Sequence, residues 1–287
     1  MFATFKASIT SSLACAAVAL RRAIERRLCA SLLGATMAAV ALPQAAHAGH
    51  NCEAKPMRAV QMADALELAA RTSQWLDASG AKVVLIARRG QNLDEWNLRY
   101  SHLGWAYKDD SARAWRVVHK LNQCGTAEGS VYRQGLGDFF LDDLYALEAG
   151  IEVPTPEVQT AMLAVLHDGS RVTRMHHKAY NMVAYPWSTR YQQSNQWALE
   201  TLAMAVEPGV TSRDRAQSWL QFKGYQPTVL KVTAMKRLGA RVGTAHIAFD
   251  DHPNEQRFAD RIATVTVDSV FVFMQTAQLG AAPVVVR

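Results

Sequence analysis

The stretch YSHLGWAYKDDSARAWRVVHKLN, residues 100–122, contains two runs of strand-forming residues on either side of a polar segment. The first run is YSHLGWAY and the second is AWRVVHKL, and the segment KDDSAR between them has the composition of a turn. Two such runs predict an antiparallel hairpin. A hairpin at this place favours a fold built on an antiparallel sheet.

The rest of the chain supplies helices and further strands. Four segments have apolar residues at helical spacing, and they are residues 57–79, 155–169, 194–207 and 211–224. Four more have the composition of strands, and they are KVVLIARR (82–89), TVLKV (228–232), AHIAFDD (245–251) and IATVTVDSVFVFM (262–274). The sequence therefore predicts an α+β fold in which an antiparallel sheet meander carries helices packed on one side.

Each strand of the hairpin carries a histidine, His102 or His119. If the strands close symmetrically around the polar segment, Tyr107 pairs with Ala114 and His102 lies opposite His119 on one face. Two imidazoles at that distance can hydrogen-bond, so that one orients the other. Gly104, on the same face as His102, favours close approach of a backbone or ligand. The alternative is two partly buried histidines with backbone partners.

The first 48 residues have the layout of a secretory signal peptide. RRAIERR is positively charged, LCASLLGATMAAVALPQ is apolar, and Ala46 and Ala48 form an A-x-A cleavage pattern. A membrane anchor is the alternative, but the apolar run is short and is broken by Pro43. We therefore expect a periplasmic or secreted protein with no transmembrane span after cleavage.

The basic charge of the chain belongs largely to this leader. The leader holds five Lys or Arg residues and one Glu, so its removal lowers the net charge from +6 to +2. A charge that small gives no reason to expect a nucleic-acid partner. We also expect no cofactor.

The mature chain keeps two cysteines, Cys52 and Cys124. In an oxidising compartment, two cysteines favour one disulfide. Two alternatives stay open, namely free thiols and a nucleophilic Cys124, although the residues after Cys124 do not resemble a helix start.

The pattern YSHLGWAY…WRVVHKLN resembles the lecithin retinol acyltransferase and permuted NlpC-type branch of the papain-like superfamily. In those proteins, a histidine and then a polar residue precede a nucleophilic cysteine at the start of a helix. The resemblance implies a circularly permuted papain-like core, with His102 as the base and His119 as the residue that orients it.

Four segments resemble an uncharacterised family of exported bacterial proteins, domain-of-unknown-function family 2145. They are GQNLDEWNLRYSHLGWAY, GLGDFFLDDL, YNMVAYPWSTRYQQSNQWALE and FDDHPNEQRF. This resemblance covers nearly all of the mature chain.

The helix start that matches the nucleophile position, YQQSNQWALE (191–200), contains no cysteine. Ser194 or Asn195 stands in its place. Ser194 is a candidate nucleophile in a Ser–His–His arrangement. It is also a good helix N-cap, and the alternative is a site that kept its papain-like shape but binds without cleaving.

Polar and aromatic side chains near Ser194 suit a groove for a peptide or glycan. The candidate substrate-binding residues are Tyr100, Tyr185, Trp187, Tyr191, Asn195 and Gln196. The alternative is that the segment YPWSTRY is simply a packed aromatic loop.

A second candidate site lies in AHIAFDDHPN, where His246, Asp250 and His252 share one face if the strand continues that far. Histidine and carboxylate side chains can bind a divalent metal. The following Pro253 suggests a turn, so this metal site is a weak candidate.

We therefore predict one α+β domain over residues 49–287, with a β-rich extension over about 225–287. Its function is expected to be hydrolysis of amide or ester bonds in cell-envelope material, or an inactive relic of that activity. The alternatives are a non-catalytic module that binds an envelope peptide, a glycan or a periplasmic protein, and a metal-binding protein.

Overall fold

The computed structural model describes residues 56–109, 111–142 and 144–287. The described residues belong to the compact unit His47–Arg287. The predicted leader and Cys52 lie outside the described residues.

Within the described residues, six strands form the main sheet, and two form a smaller one. The strands of the main sheet are β1 (Val83–Arg89), β2 (His102–Asp109), β3 (Ala114–Asn122), β4 (Gly129–Gly135), β5 (Ala146–Glu152) and β8 (Val284–Val286). Their spatial order is β4-β3-β2-β1-β5-β8, and every neighbouring pair is antiparallel. The smaller sheet pairs β6 (Thr228–Lys231) with β7 (Arg261–Thr264). The predicted α+β class and the antiparallel meander are confirmed.

Each of the four predicted helical segments forms a helix within a few residues of its predicted bounds. The helices are α1 (Ala59–Ser79), α2 (Leu136–Phe140), α3 (Pro156–Leu166), α4 (Gly169–Val172), α5 (Ser194–Val206), α6 (Arg213–Phe222), α7 (Ala234–Gly243), α8 (Asn254–Phe258) and α9 (Val267–Thr276). α1 ends where predicted, because Gly80 adopts the left-handed conformation (φ 70°) that terminates helices. From residue 56 onward, none of these helices combines the length and hydropathy needed to span a bilayer.

Helices cover both faces of the main sheet, so the prediction of helices on one side is wrong. Leu68 of α1 and Phe139 of α2 pack on one face, whereas Met162 of α3 and Leu202 of α5 pack on the other. The physical reason is the composition of the central strands. Six consecutive residues of β1 are buried, and such a run needs apolar cover on both sides.

The C-terminal third contains more helix than predicted. The segment AHIAFDD forms no strand, and the predicted strand 262–274 is divided between β7 and helix α9. Four of the five buried α9 residues, Val267, Val270, Phe271 and Met274, follow the i, i+3, i+4, i+7 spacing of a helix. Thr266 and Ser269 form a capping box that starts this helix. The β-branched composition therefore predicted the wrong element, because the helical spacing and the cap decide the structure.

Candidate functional site

The two hairpin histidines contact each other. His102 Nε2 lies 2.8 Å from His119 Nδ1, and the ring centroids are 5.1 Å apart. The strand register differs from the predicted one, because Tyr107 pairs with Arg116 and not with Ala114. This shift is two residues, so every side chain keeps its face of the sheet. The predicted contact is present, although the predicted pairing of His102 directly opposite His119 is wrong.

Gly104 makes this diagonal contact possible. A Cβ atom added to Gly104 would lie 3.1 Å from His119 Cβ and 2.9 Å from Val117 Cγ1. Both distances are shorter than ordinary van der Waals contact between such atoms. The missing side chain therefore lets β3 approach β2 beside the histidine pair, as glycines inside strands often do.

The hydrogen-bond chain continues from His119 to Gln134, a residue that no local sequence pattern indicates. His119 Nε2 lies 2.6 Å from Gln134 Oε1, which is an acceptor, so His119 donates through Nε2 and accepts at Nδ1. His102 then donates through Nε2, and its Nδ1 is the remaining basic nitrogen of the ring. Gln134 reaches His119 because β4 aligns it with Val117, so only the β3–β4 register could have revealed it.

Burial keeps both rings neutral at pH 7. It lowers the pKa of His102 well below the ordinary 6.5, and the charge of Arg88 and the neighbouring His119 lower it further. Burial also lowers the pKa of His119 to about 4, with a smaller opposing contribution from the Gln134 hydrogen bond.

Phe139 and Arg88 enclose the histidine pair on the side of α2. The Phe139 ring centroid lies 5.9 Å from that of His102 and 5.4 Å from that of His119. Arg88 pairs with His102 across β1 and β2, donates to the Phe139 carbonyl and forms an ion pair with Asp142 at 2.5 Å. The ion pair and the carbonyl hold the guanidinium group beside the histidines.

Ser194 begins α5, which packs on the opposite side of the sheet from the histidines. The indole of Trp105, whose side chain faces away from them, donates to the α5 backbone at 3.1 Å. Over the described ranges, Ser194 Oγ makes no hydrogen bond to His102 or His119, and its partner is the Tyr180 hydroxyl at 3.5 Å. A Ser194–His102 pair ready for proton transfer is therefore not formed in this structure.

Gln193, and not Ser194, caps α5. Its Oε1 accepts from the Asn195 backbone at 3.0 Å, and its Nε2 donates to Thr264 Oγ1 at 3.0 Å. The interpretation of Ser194 as the N-cap is wrong, because Ser194 is the first residue inside the helix. Its hydroxyl is therefore not used for capping.

Side chains from both sides of the sheet line one cleft of about 1130 Å³, near the start of β2 and the end of β3. Its polar lining includes His102, Gln134, Asp138, Tyr180, Ser194 and Asn195. Its apolar lining includes Leu93, Trp96, Leu98, Val232, Ile247 and Phe249. Of the predicted groove residues, Tyr100 and Asn195 line this cleft, whereas His119 is fully buried behind His102.

The other predicted groove residues lie elsewhere. Tyr185 and Trp187 line a separate cavity of about 310 Å³. The Tyr191 hydroxyl donates a hydrogen bond to Asp250 Oδ2 at 3.4 Å. Gln196 is buried and donates a hydrogen bond to Glu200 Oε1 at 3.2 Å. The aromatic segment therefore does not form one groove with Ser194.

The three weak metal candidates do not converge. His252 has both ring nitrogens occupied, Nδ1 by Asp251 Oδ1 at 3.0 Å and Nε2 by the Ala263 carbonyl at 2.9 Å. Asp250 pairs with Arg190 at 2.8 Å, and His246 packs against another ring. Because no strand forms here, the three side chains do not share a strand face. Within the described residues, no group of three or more His, Cys, Asp or Glu side chains could hold a metal ion.

Cys124 lies in the turn between β3 and β4. Its predicted partner, Cys52, is outside the described residues, so the disulfide stays a prediction.

A buried charge network, also missed from the sequence, fixes the segment that leads into α5. Lys120 Nζ donates to the His177 carbonyl at 2.6 Å and to the Gln192 carbonyl and side-chain oxygen at 2.9 and 3.0 Å. Gln192 donates to Glu200 at 2.6 Å, and Glu200 pairs with Arg213 at 2.7 Å. Burial lowers the pKa of Lys120 to about 7. The network joins β3, α5 and α6, so it positions the start of α5 at the cleft.

Comparison with known proteins identifies a match to a protein family. The family model described as an uncharacterized protein conserved in bacteria (DUF2145) matches residues 75–274, a range that includes the whole histidine chain and Ser194. No curated protein and no solved structure matches the chain. The resemblance to papain-like enzymes therefore stays a prediction.

Proposed function

The chain belongs to this family of uncharacterised conserved bacterial proteins, and from that premise we propose that it is an exported protein whose cleft binds a peptide or glycan of the cell envelope without cleaving it. The observation that carries the proposal is the fixed, neutral imidazole of His102 in the cleft wall. His119 and Gln134 hold its tautomer, so that Nδ1 is the nitrogen left to accept a hydrogen bond from a ligand.

The electrostatics of His102 favour binding over base catalysis. A general base works best when its pKa lies near the working pH, and burial lowers the pKa of His102 well below 6.5. A neutral imidazole remains a good acceptor for an amide N–H or a sugar hydroxyl. The separation of Ser194 from His102 supports the same interpretation, because a nucleophile needs its base within hydrogen-bond reach.

Asn195 supports a polar ligand. Its side chain lines the cleft and is 6% exposed, and its Oδ1 has no hydrogen-bond partner among the residues that the structure describes. A buried acceptor without a partner is costly, so a donor from a ligand would lower the free energy of the bound state. Trp96 and Phe249 provide apolar contact in the same cleft. Such a mixture of apolar surface and few polar groups is typical of ligand sites.

The predicted leader places the protein in the periplasm or outside the cell. Ligands available there include envelope peptides and glycans. A periplasmic protein that inserts a peptide segment into the cleft is consistent with the same chemistry.

The test uses soluble muropeptides, which contain both a peptide and a glycan part, as the probe in titration calorimetry. We expect His102→Ala and Asn195→Ala each to weaken binding by roughly tenfold, since each removes one hydrogen bond at the cleft wall. His167→Ala is the matched control, because His167 is exposed and does not line the cleft. Absence of binding to the intact protein, or equal binding by all variants, would overturn the proposal.

A hydrolase is the second candidate, and one specific observation favours it. The Gln134–His119–His102 chain orients a basic nitrogen, and the Ser194 hydroxyl, not used for capping, lines the same cleft. A serine-directed fluorophosphonate probe tests this candidate. Labelling that is lost in both Ser194→Ala and His102→Ala supports the hydrolase, and no labelling of a folded sample excludes a reactive serine.

A further inference from the structure

Helix α7 presents apolar side chains away from the protein. Met235, Leu238 and Val242 are 79%, 62% and 60% exposed. At 3.6 residues per turn, these three side chains lie within an arc of about 60° on the helix. The opposite side of the helix carries Ala240, which packs against the cluster around Phe249. Surface helices normally bury their apolar side, whereas α7 exposes its apolar side to solvent.

The surrounding chain is basic. Residues 222–249 contain no Asp or Glu, and they contain five basic residues, which are Lys223, Lys231, Lys236, Arg237 and Arg241. Two of the five are neutralised, because Lys236 pairs with Glu95 at 2.9 Å and Arg237 pairs with Asp260 at 2.7 Å. The other three form no ion pair with an acidic side chain of the described chain.

We propose that the α7 face, defined as Met235, Leu238 and Val242 with the basic residues Lys231 and Arg241, docks on an anionic phospholipid membrane surface. An apolar stripe beside unpaired basic side chains is the pattern of helices that lie in the membrane interface. The apolar side chains enter the boundary between headgroups and acyl chains, and the cations meet lipid phosphates.

Charge complementarity supports an anionic membrane surface as the partner of the α7 face. Lys231 is exposed on β6, directly before α7, and Arg241 lies in the last turn of α7. In the sequence, one cationic residue therefore precedes the apolar stripe and one lies within it, and an anionic surface would neutralise both. The predicted leader gives the mature protein access to the phospholipid surfaces of the envelope.

Docking through α7 would bring the cleft to the membrane. The inner side of α7, through Lys236, Gly239 and Ala240, forms part of the cleft wall. A ligand held in the cleft would thus lie close to the lipid headgroups.

The test is flotation with lipid vesicles, using protein purified from the periplasmic extract of an expressing bacterium. Vesicles of equal parts phosphatidylglycerol and phosphatidylcholine are compared with vesicles of phosphatidylcholine alone. We expect binding to the anionic vesicles, a loss of roughly tenfold or more in the variant M235S/L238S/V242S, and weaker binding at high salt. The matched control is V60S/M62S/L66S, which changes three exposed apolar residues of α1.

A second pair of variants tests the charges. K231Q/R241Q should require more phosphatidylglycerol for the same binding, whereas K82Q/R174Q, which removes two exposed charges elsewhere, should behave like the unchanged protein. Absence of binding in a sample whose circular dichroism shows a folded protein would overturn the proposal. Equal loss in the α1 control would also overturn it. Self-association that depends on the α7 face, without vesicle binding, would assign the face to a second copy instead.

Discussion

His102 Nε2 and His119 Nδ1 are 2.8 Å apart, although the strand register places Gly104, and not His102, beside His119. The two imidazoles therefore meet diagonally across the missing side chain of a glycine. The contact depends on the glycine, on burial and on the Gln134 acceptor, and each of these can be tested separately.

Acid should destabilise the protein through His119. Its pKa is about 4 in the folded state against 6.5 as the ordinary value, so the unfolded chain binds the proton more readily. The contribution of neutral His119 to the free energy of unfolding is complete above about pH 6.5. This contribution, on the order of 3 kcal/mol, is lost as the pH falls towards 4. Urea unfolding at pH 7 and pH 4.5 measures this loss. His119→Gln should reduce it, whereas the exposed control His167→Gln should not, and an unchanged pH dependence in His119→Gln would contradict the assignment.

Adding one methyl group at Gly104 should disrupt the pair. Gly104→Ala places a Cβ 2.9 Å from Val117 Cγ1 and 3.2 Å from the Val118 carbonyl oxygen, so β2 and β3 must move apart. We expect a destabilisation of about 1–3 kcal/mol. Gly169→Ala is the control, because a Cβ there meets no atom within 4 Å. Thermal denaturation of both variants checks the difference, and equal melting temperatures would show that the strands tolerate the methyl group.

Glu152 should limit stability at alkaline pH. Its carboxyl group is fully buried, neither oxygen has a hydrogen-bond partner in the described part of the chain, and burial raises its pKa to about 9. Because the pKa of Glu152 is higher in the folded state than in the unfolded chain, Glu152 does not reduce the free energy of unfolding below about pH 4.5. The free energy of unfolding declines as the pH rises towards 9. Glu152→Gln should therefore stabilise the protein at pH 8, by at most about 5 kcal/mol, and change little at pH 4.5.

Glu148→Gln is the matched control for Glu152→Gln. Glu148 is ion-paired with Arg99 at 2.7 Å, and this contact lowers the pKa of Glu148. Replacement of Glu148 should destabilise the protein at pH 8, whereas replacement of Glu152 should stabilise it. Denaturant unfolding at the two pH values distinguishes the variants, and destabilisation by both at pH 8 would disprove the role assigned to Glu152.

Removing the Lys120 ammonium group should loosen the entry to α5. Lys120→Met leaves the carbonyl oxygens of His177 and Gln192 without their donor inside the protein, at a cost of about 3 kcal/mol. Lys108→Met removes a partly exposed ion pair to Asp77 and should cost less than about 1 kcal/mol. Hydrogen exchange of the α5 amides should rise in Lys120→Met alone. Equal exchange in both variants would argue that the network does not hold the helix.

The hairpin was predictable because alternation and turn composition are local properties. The pairing register was not, since it depends on the turn between Asp109 and Ala114, which closes over four residues and not six. The histidines meet despite this difference because the error is an even number of residues. Gln134 has no local signal, since its position depends on how β4 pairs with β3.

The errors outside the hairpin have similar causes. In α9, β-branched residues suggested a strand, whereas Thr266 caps a helix whose buried residues follow helical spacing. Lys120 lies inside the hairpin sequence, but its partners come from residues 177 and 192, which no local pattern connects to it. The apolar run of β1 indicates that helices pack on both faces of the sheet. A half-exposed strand would alternate polar and apolar residues, and β1 does not.

The position of β1 in the sheet has a consequence for the order of folding. β1 to β4 can pair as successive hairpins, whereas β5 must return to the free edge of β1, where Leu85 pairs with Glu152. Contacts between residues that distant form late, because closing a long loop costs entropy before any pairing compensates for it. Until β5 docks, β1 exposes unpaired backbone groups along one edge. Two incompletely folded molecules can join at that edge, so refolding yield should fall as protein concentration rises.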